Sequence, residues 1–345
     1  MAQKRRMIRK IITSIALIAA APLVVIALAR GATEFASRIL EKRYPPPGRM
    51  IAVGYYKLQL YCTGTGSPTV IIEPGMGLDW VGWRPVIARL TPFHSVCVYD
   101  RAGYGWSDPG PRPRTASREA DELHTLLSTA GIADPYILVA HSFGGYIARI
   151  YASRFRKSLA GVVLVEPSHE DEPALAQEQG ALQVNQRSCR VCQILNLIPP
   201  LGVQRLRRMY HGYRDLPDGL KNEPRCYQER YLVASSLEQL ALERNEFDSL
   251  HFSEAQVRQA VFPRDLPLTV ITALHLLAPK DSRHSTALPP IHRELQQRLA
   301  QSSLYGRQII AAGSGHMVPL DEPEVIVDAV QDLAKQPKWF DHGSQ

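Results

Sequence analysis

The stretch from Tyr136 to Tyr151 constrains the fold of this chain more than any other. Tyr136-Ile137-Leu138-Val139 is a short, uninterrupted apolar run, the pattern of a strand buried on both faces. It stops at Ala140-His141-Ser142-Phe143-Gly144-Gly145, and a helical pattern starts at once in Tyr146-Ile147-Ala148-Arg149-Ile150-Tyr151. A strand that passes into a helix without a loop must turn sharply at the serine. The residues two before and two after it must then be small, and here they are Ala140 and Gly144 where the usual pattern is G-x-S-x-G. Such a turn pushes the Ser142 hydroxyl into a cleft and aims the Phe143 backbone N–H at whatever the serine attacks. The plain alternative is a serine at an ordinary strand–helix turn, so other parts of the chain must decide.

Two further segments point the same way. His316, in Ala312-Gly313-Ser314-Gly315-His316-Met317, lies just past the last strand-like run, and a helical pattern follows from Glu322 to Lys335. A serine hydroxyl is a poor nucleophile until a base takes its proton, and His316 is placed to be that base. Glu73-Pro74-Gly75-Met76-Gly77 closes the run Thr69–Ile72. Its glycines let the backbone turn and offer the Met76 N–H to the cleft, so that Met76 and Phe143 amides together would form an oxyanion hole. Asp100, in Tyr99-Asp100-Arg101-Ala102-Gly103-Tyr104-Gly105, ends the next strand. It is expected to pair with Arg101 or to cap local N–H groups.

Apolar runs at Thr69–Ile72, Ser95–Tyr99, Tyr136–Ala140, Gly161–Val165, Leu268–Thr272 and Gln308–Ala311 alternate with helical stretches, notably Ala116–Ala130 and Gly145–Phe155. That alternation predicts an α/β fold with a mostly parallel sheet covered by helices on both faces. Met50–Cys62 alternates like an antiparallel hairpin in front of it. Residues 168–264 differ in character, being charged, helix-prone and interrupted by prolines, and read as a helical lid inserted at the carboxyl edge of the sheet. The expected domain runs from residue 50 to 336, after a linker at 31–49 and before a tail at 337–345.

With these motifs in this order, the chain resembles the α/β-hydrolase superfamily, in the type with D-R-x-G-x-G-x-S after the fourth strand and G-H-S-x-G-G at the serine turn. Ala140 for glycine, and Glu73-Pro74-Gly75 where many members have a histidine before the glycine, are its departures. The resemblance implies an eight-stranded sheet and cofactor-free hydrolysis through an acyl-enzyme, with Ser142 as nucleophile and His316 as base. It leaves two positions for the acid that orients the histidine. Glu166 stands directly at the end of Gly161–Val165, where the sheet fixes its geometry, and is preferred. Asp281, after the seventh strand, is the alternative and would need a long loop to fold back. Members of this fold that open epoxides or remove halogen carry an aspartate at the turn, and Ser142 speaks against both. The expected activity is that of a carboxylic ester hydrolase on a small-molecule or lipid ester. A membrane-associated acyltransferase and a non-catalytic lipid-binding protein remain as alternatives.

The formal charge of +7 invites a nucleic-acid reading, but six basic residues and no acid fall within residues 1–30. Without them the charge is +1, so no basic face and no nucleic-acid partner are implied. The basic residues precede an uncharged run from Ile11 to Ala29, which as a helix would span about 28 Å, close to the hydrocarbon thickness. An uncleaved single-pass anchor is preferred, with the catalytic domain outside the cytoplasm. The alternative is a cleaved signal and a secreted or periplasmic protein. Cys97 lies in an apolar strand and is expected as a packed core thiol. Cys189-x-x-Cys192 has no second pair or histidines at zinc spacing, so no metal is expected; Cys226 with either cysteine could staple the lid.

Overall fold

The computed structural model describes residues 45–78, 80–172, 216, 218–223, 227, 245–275 and 288–335, with isolated positions before residue 45. Eight strands form one sheet: β1 (Arg49–Val53), β2 (Tyr56–Thr63), β3 (Val70–Glu73), β4 (Val96–Tyr99), β5 (Tyr136–His141), β6 (Leu159–Val165), β7 (Leu268–Ala273) and β8 (Gly306–Ala311). Their spatial order is β1-β2-β4-β3-β5-β6-β7-β8. Only the β1–β2 and β2–β4 pairings are antiparallel; all the others are parallel. Every residue of β3, β4, β5, β6 and β7 is buried, which is why these strands read as unbroken apolar runs rather than alternating ones. The edge strand β8 is only partly covered.

Helices close both faces. On one side α2 (Ala116–Ala130), α3 (Gly144–Arg154) and α5 (Leu250–Gln259) pack together over a core that includes Leu123, Tyr146, Ile147, Leu138 and Val257. On the other, a 3-10 turn at Trp80–Trp83, α1 (Arg84–Leu90) and α8 (Pro323–Ala334) cover Val70, Ile72, Val139 and Val163. Among the described residues there are also α4 (Asp218–Lys221), α6 (Pro290–Ala300) and α7 (Val318–Asp321). The central α2 starts at Thr115, whose hydroxyl accepts from the Arg118 N–H, and stops at Gly131 in the left-handed conformation.

Cys97 is not the free core thiol expected from its apolar strand. It faces Cys62 directly across the antiparallel β2–β4 ladder, with Cα atoms 4.1 Å apart, and the two form a disulfide. Of the inserted stretch 168–264, residues 173–215 and most of those up to 244 lie outside the described residues, as do Cys189, Cys192 and Cys226. Within that stretch, α5 lies against α2 and α3. Tyr227 stacks on the Arg84 guanidinium at 3.9 Å, and Glu223 pairs with the same side chain. Most of residues 11–29 lies outside the described residues, as does the tail. Among those described, no helix is long and apolar enough to cross a membrane.

Candidate active site

Strand β5 ends at His141 and α3 begins at Gly144, so the turn between them is two residues long. Ser142 takes a left-handed backbone with φ 54°. Its N–H donates to the Val165 carbonyl at 3.1 Å, and its own carbonyl accepts from the N–H groups of Gly145 and Ser168. Close approach explains the glycines. A Cβ at Gly144 would lie 2.9 Å from the carbonyl oxygens of Glu73 and Pro74, and one at Gly145 would lie 2.6 Å from Pro167 Cβ. The fully buried Ala140 fits as a methyl inside the sheet.

Glu166 follows β6 as Ser142 follows β5, and it too is left-handed, with φ 45°. Its N–H donates to the Ile271 carbonyl at 2.7 Å and its side chain is 2% exposed. His316 lies in the loop between β8 and α7. The structure brings these three residues together: His316 Nε2 is 3.1 Å from Ser142 Oγ and His316 Nδ1 is 3.3 Å from Glu166 Oε2. With the proton on Nδ1 donated to Glu166, the Nε2 lone pair faces the serine hydroxyl. Asp281 lies outside the described residues.

Two histidines that carried no role in the sequence flank this line. His141 donates from Nε2 to the backbone carbonyl of His316 at 2.8 Å, tying the base-bearing loop to the end of β5. Burial, then the neighbouring His316, holds its pKa down to about 3, so it stays neutral. His292, on α6, donates from Nε2 to Glu166 Oε1 at 2.8 Å and from Nδ1 to Glu172 at 2.9 Å. Glu166 therefore serves two histidines, one on each carboxylate oxygen, and its Oε1 also accepts the Ala273 N–H at 3.1 Å. Burial alone would raise its pKa. Hydrogen bonds from His292 and His316 outweigh that and bring it down to about 2.

The Glu73–Gly77 loop lies against the serine turn, since a Cβ on Gly75 would be 3.1 Å from Ser142 Cβ and 2.6 Å from His141 Nδ1. Among the described residues, no partner takes the backbone N–H of Met76 or Phe143. What fixes this loop is Arg101. Its guanidinium donates to the carbonyls of Pro74 and Gly75 and pairs with the carboxylates of Glu73 and Glu246. Tyr104 completes the clamp, its hydroxyl accepting the Gly77 N–H at 3.1 Å and donating to Glu246 at 2.9 Å. Tyr99 donates to Glu73, whose burial, opposed by Arg101, leaves its pKa raised to about 7. Asp100 instead accepts the N–H groups of Trp80 and Trp106, the capping role expected of it. The sequence offers Arg101 only as a partner for Asp100; its part in the loop, like those of Tyr104, Glu246 and His292, has no local sequence signal.

The arrangement can activate a hydroxyl nucleophile beside two free backbone donors. The family described as the alpha/beta hydrolase family matches residues 70–329. The fungal protein named probable transporter efuK, from Hormonema carpetanum, is 24% identical over 302 residues, covering 83% of this chain and 42% of its own length. The chain spans about two fifths of the length of the first curated relatives it matches. Among solved structures, a thermophilic esterase from Thermogutta terrifontis is 19% identical with a TM-score of 0.54, covering 82% of this chain and 96% of that one. An epoxide hydrolase from Bacillus megaterium is 15% identical with a TM-score of 0.58, covering 84% and 100%. At these identities the two structures share the fold with this chain.

Proposed function

The chain belongs to the α/β-hydrolase family, and on that premise we propose that it is a serine hydrolase of ester-like acyl substrates. The observation that carries this reading is the hydrogen-bonded line from Ser142 Oγ through His316 to Glu166. Ser142 Oγ attacks the acyl carbon as its proton passes to His316 Nε2. The carbonyl oxygen gains negative charge and is held by the N–H groups of Met76 and Phe143, each such donor being worth on the order of 10²–10³ in rate. The leaving alcohol takes the proton from Nε2, and the acyl group stays on Ser142. A water then attacks the acyl carbon, giving its proton to His316 Nε2; the bond from the acyl carbon to Ser142 Oγ breaks, Oγ takes that proton back, and the acid leaves. Glu166 accepts the Nδ1–H of His316 throughout, holding the productive tautomer and stabilising the imidazolium.

Ser142 where epoxide-opening members carry an aspartate speaks against epoxide chemistry. We place the active domain outside the cytoplasm, with residues 11–29 as a membrane anchor. The Cys62–Cys97 disulfide supports an oxidising compartment. Hydrolysis of p-nitrophenyl esters of increasing acyl length tests the proposal. Wild type should turn over at least one of the series, and Ser142→Ala should abolish that turnover. Turnover that survives Ser142→Ala would overturn the reading, and transfer to an added alcohol in preference to water would redirect it to an acyltransferase.

A further inference from the structure

Glu166 has two carboxylate oxygens and only one faces His316. The other is taken by His292, which stands in the first turn of α6 with its side chain 8% exposed. His292 is held at both ring nitrogens by carboxylates, Glu166 at 2.8 Å and Glu172 at 2.9 Å, and a ring that donates from both nitrogens carries a positive charge. The N-terminus of a helix disfavours a cation, so the two carboxylates must outweigh the α6 dipole as well as burial. They do: against burial, the hydrogen bonds to Glu166 and then Glu172 push the pKa of His292 up to about 10.

Resting on the serine-hydrolase reading above, we infer that His292 is a positioning residue that fixes which oxygen of Glu166 meets His316 and links that carboxylate to Glu172. The groups facing His292 are Glu166 from the end of β6 and Glu172 from the segment after it. His316 from the β8–α7 loop and His275, two residues past β7, line the same cavity of about 130 Å³. A carboxylate neutralised by an adjacent cation offers His316 little net charge. Glu172 restores it, because Glu166, His292 and Glu172 together carry one net negative charge. Glu172 stands near the start of the inserted stretch 168–264, and its side chain is 41% exposed. The charge felt at the base therefore depends on a partly exposed carboxylate two residues removed in the chain of contacts, through His292.

Two substitutions separate this role from simple support of the fold. His292→Gln keeps a donor toward Glu166 and removes the positive charge, so the acid limb of the kcat/KM profile should move up by about one pH unit. Glu172→Gln removes a negative charge and should move that limb down by a smaller amount. A structural role alone would lower activity at all pH values and leave the limbs in place. Ring-nitrogen NMR of the full chain supplies a readout that needs no substrate. In wild type His292 should remain an imidazolium at pH 8, and in Glu172→Gln it should lose its proton at lower pH. A neutral His292 ring at pH 8 in a protein that still labels at Ser142 with a fluorophosphonate would overturn the inference and leave the hydrolase reading standing. Limbs that stay fixed, or that move the same way in both variants, would overturn it too.

Discussion

Ser142 and Glu166 occupy equivalent places at the carboxyl ends of neighbouring parallel strands, directly after the paired residues His141 and Val165. Among the described residues they are the two non-glycine positions with left-handed backbone. Such a conformation costs about 1–3 kcal/mol per residue and persists only where the surroundings enforce it. Here the enforcing contacts are the Ser142 N–H to Val165 and the Glu166 N–H to Ile271, which run across β5, β6 and β7. Strain at both positions turns the two side chains out of the sheet toward one histidine.

Replacing the acid should therefore separate it from its alternative. Glu166→Gln is expected to lower kcat by about 10⁴-fold, with the circular dichroism of the fold retained. Asp281→Asn should stay within threefold of wild type on the same ester, a margin of roughly 0.6 kcal/mol. The reverse pattern in steady-state kinetics would move the role to Asp281.

The clamp on the Glu73–Gly77 loop gives a second expectation. Tyr104→Phe removes the acceptor for the Gly77 N–H and the donor to Glu246. It should lower kcat about tenfold and cost about 1–2 kcal/mol of stability in urea unfolding. Arg101→Met leaves Glu73, Glu119 and Glu246 buried without their shared cation. It should cost about 3–5 kcal/mol, so the tyrosine variant is the cleaner probe of catalysis.

Much of this was legible in the sequence and some of it was not, for physical reasons. Strands buried on both faces must be apolar throughout, so Tyr136–His141 and Leu159–Val165 announce themselves within a residue or two of their ends. The serine turn and the placement of Glu166 and His316 at strand ends follow from the same periodicity. The ion pairs do not, because Arg101 reaches Glu246 across 145 positions and His292 reaches Glu166 across 126. In sequence His292 looks like any polar residue in a first helical turn. Cys62 and Cys97 sit in separate strands whose register only the folded sheet sets, so Cys97 read as a lone core thiol.

Close packing at the loop makes Gly75 intolerant of a side chain. A Cβ there would sit 2.6 Å from Nδ1 of the buried His141 ring, which its Nε2 bond to the His316 carbonyl holds in place. Gly75→Ala should cost about 1–3 kcal/mol in chemical unfolding, the usual penalty for overpacking, and should slow ester turnover.

Stability should depend on pH through the same carboxylate. The Glu166 pKa is depressed from 4.5 to about 2, so its contribution is present above about pH 4.5 and is lost as pH falls toward 2. The His292 pKa is raised from 6.5 to about 10, so its contribution is full below about pH 6.5 and is lost as pH rises toward 10. The Tm difference between wild type and His292→Gln should thus be largest near pH 5–6 and shrink toward pH 10. A difference that stays constant across that range in scanning calorimetry would refute this linkage.

Every role proposed for this site depends on Ser142 being a nucleophile activated by His316. Mass spectrometry of the full chain after exposure to a fluorophosphonate tests it most directly. One covalent adduct is expected, located on the peptide that contains Ser142, absent in Ser142→Ala and formed far more slowly in His316→Ala. No adduct on the folded wild-type protein, or an adduct that persists in Ser142→Ala, would contradict it.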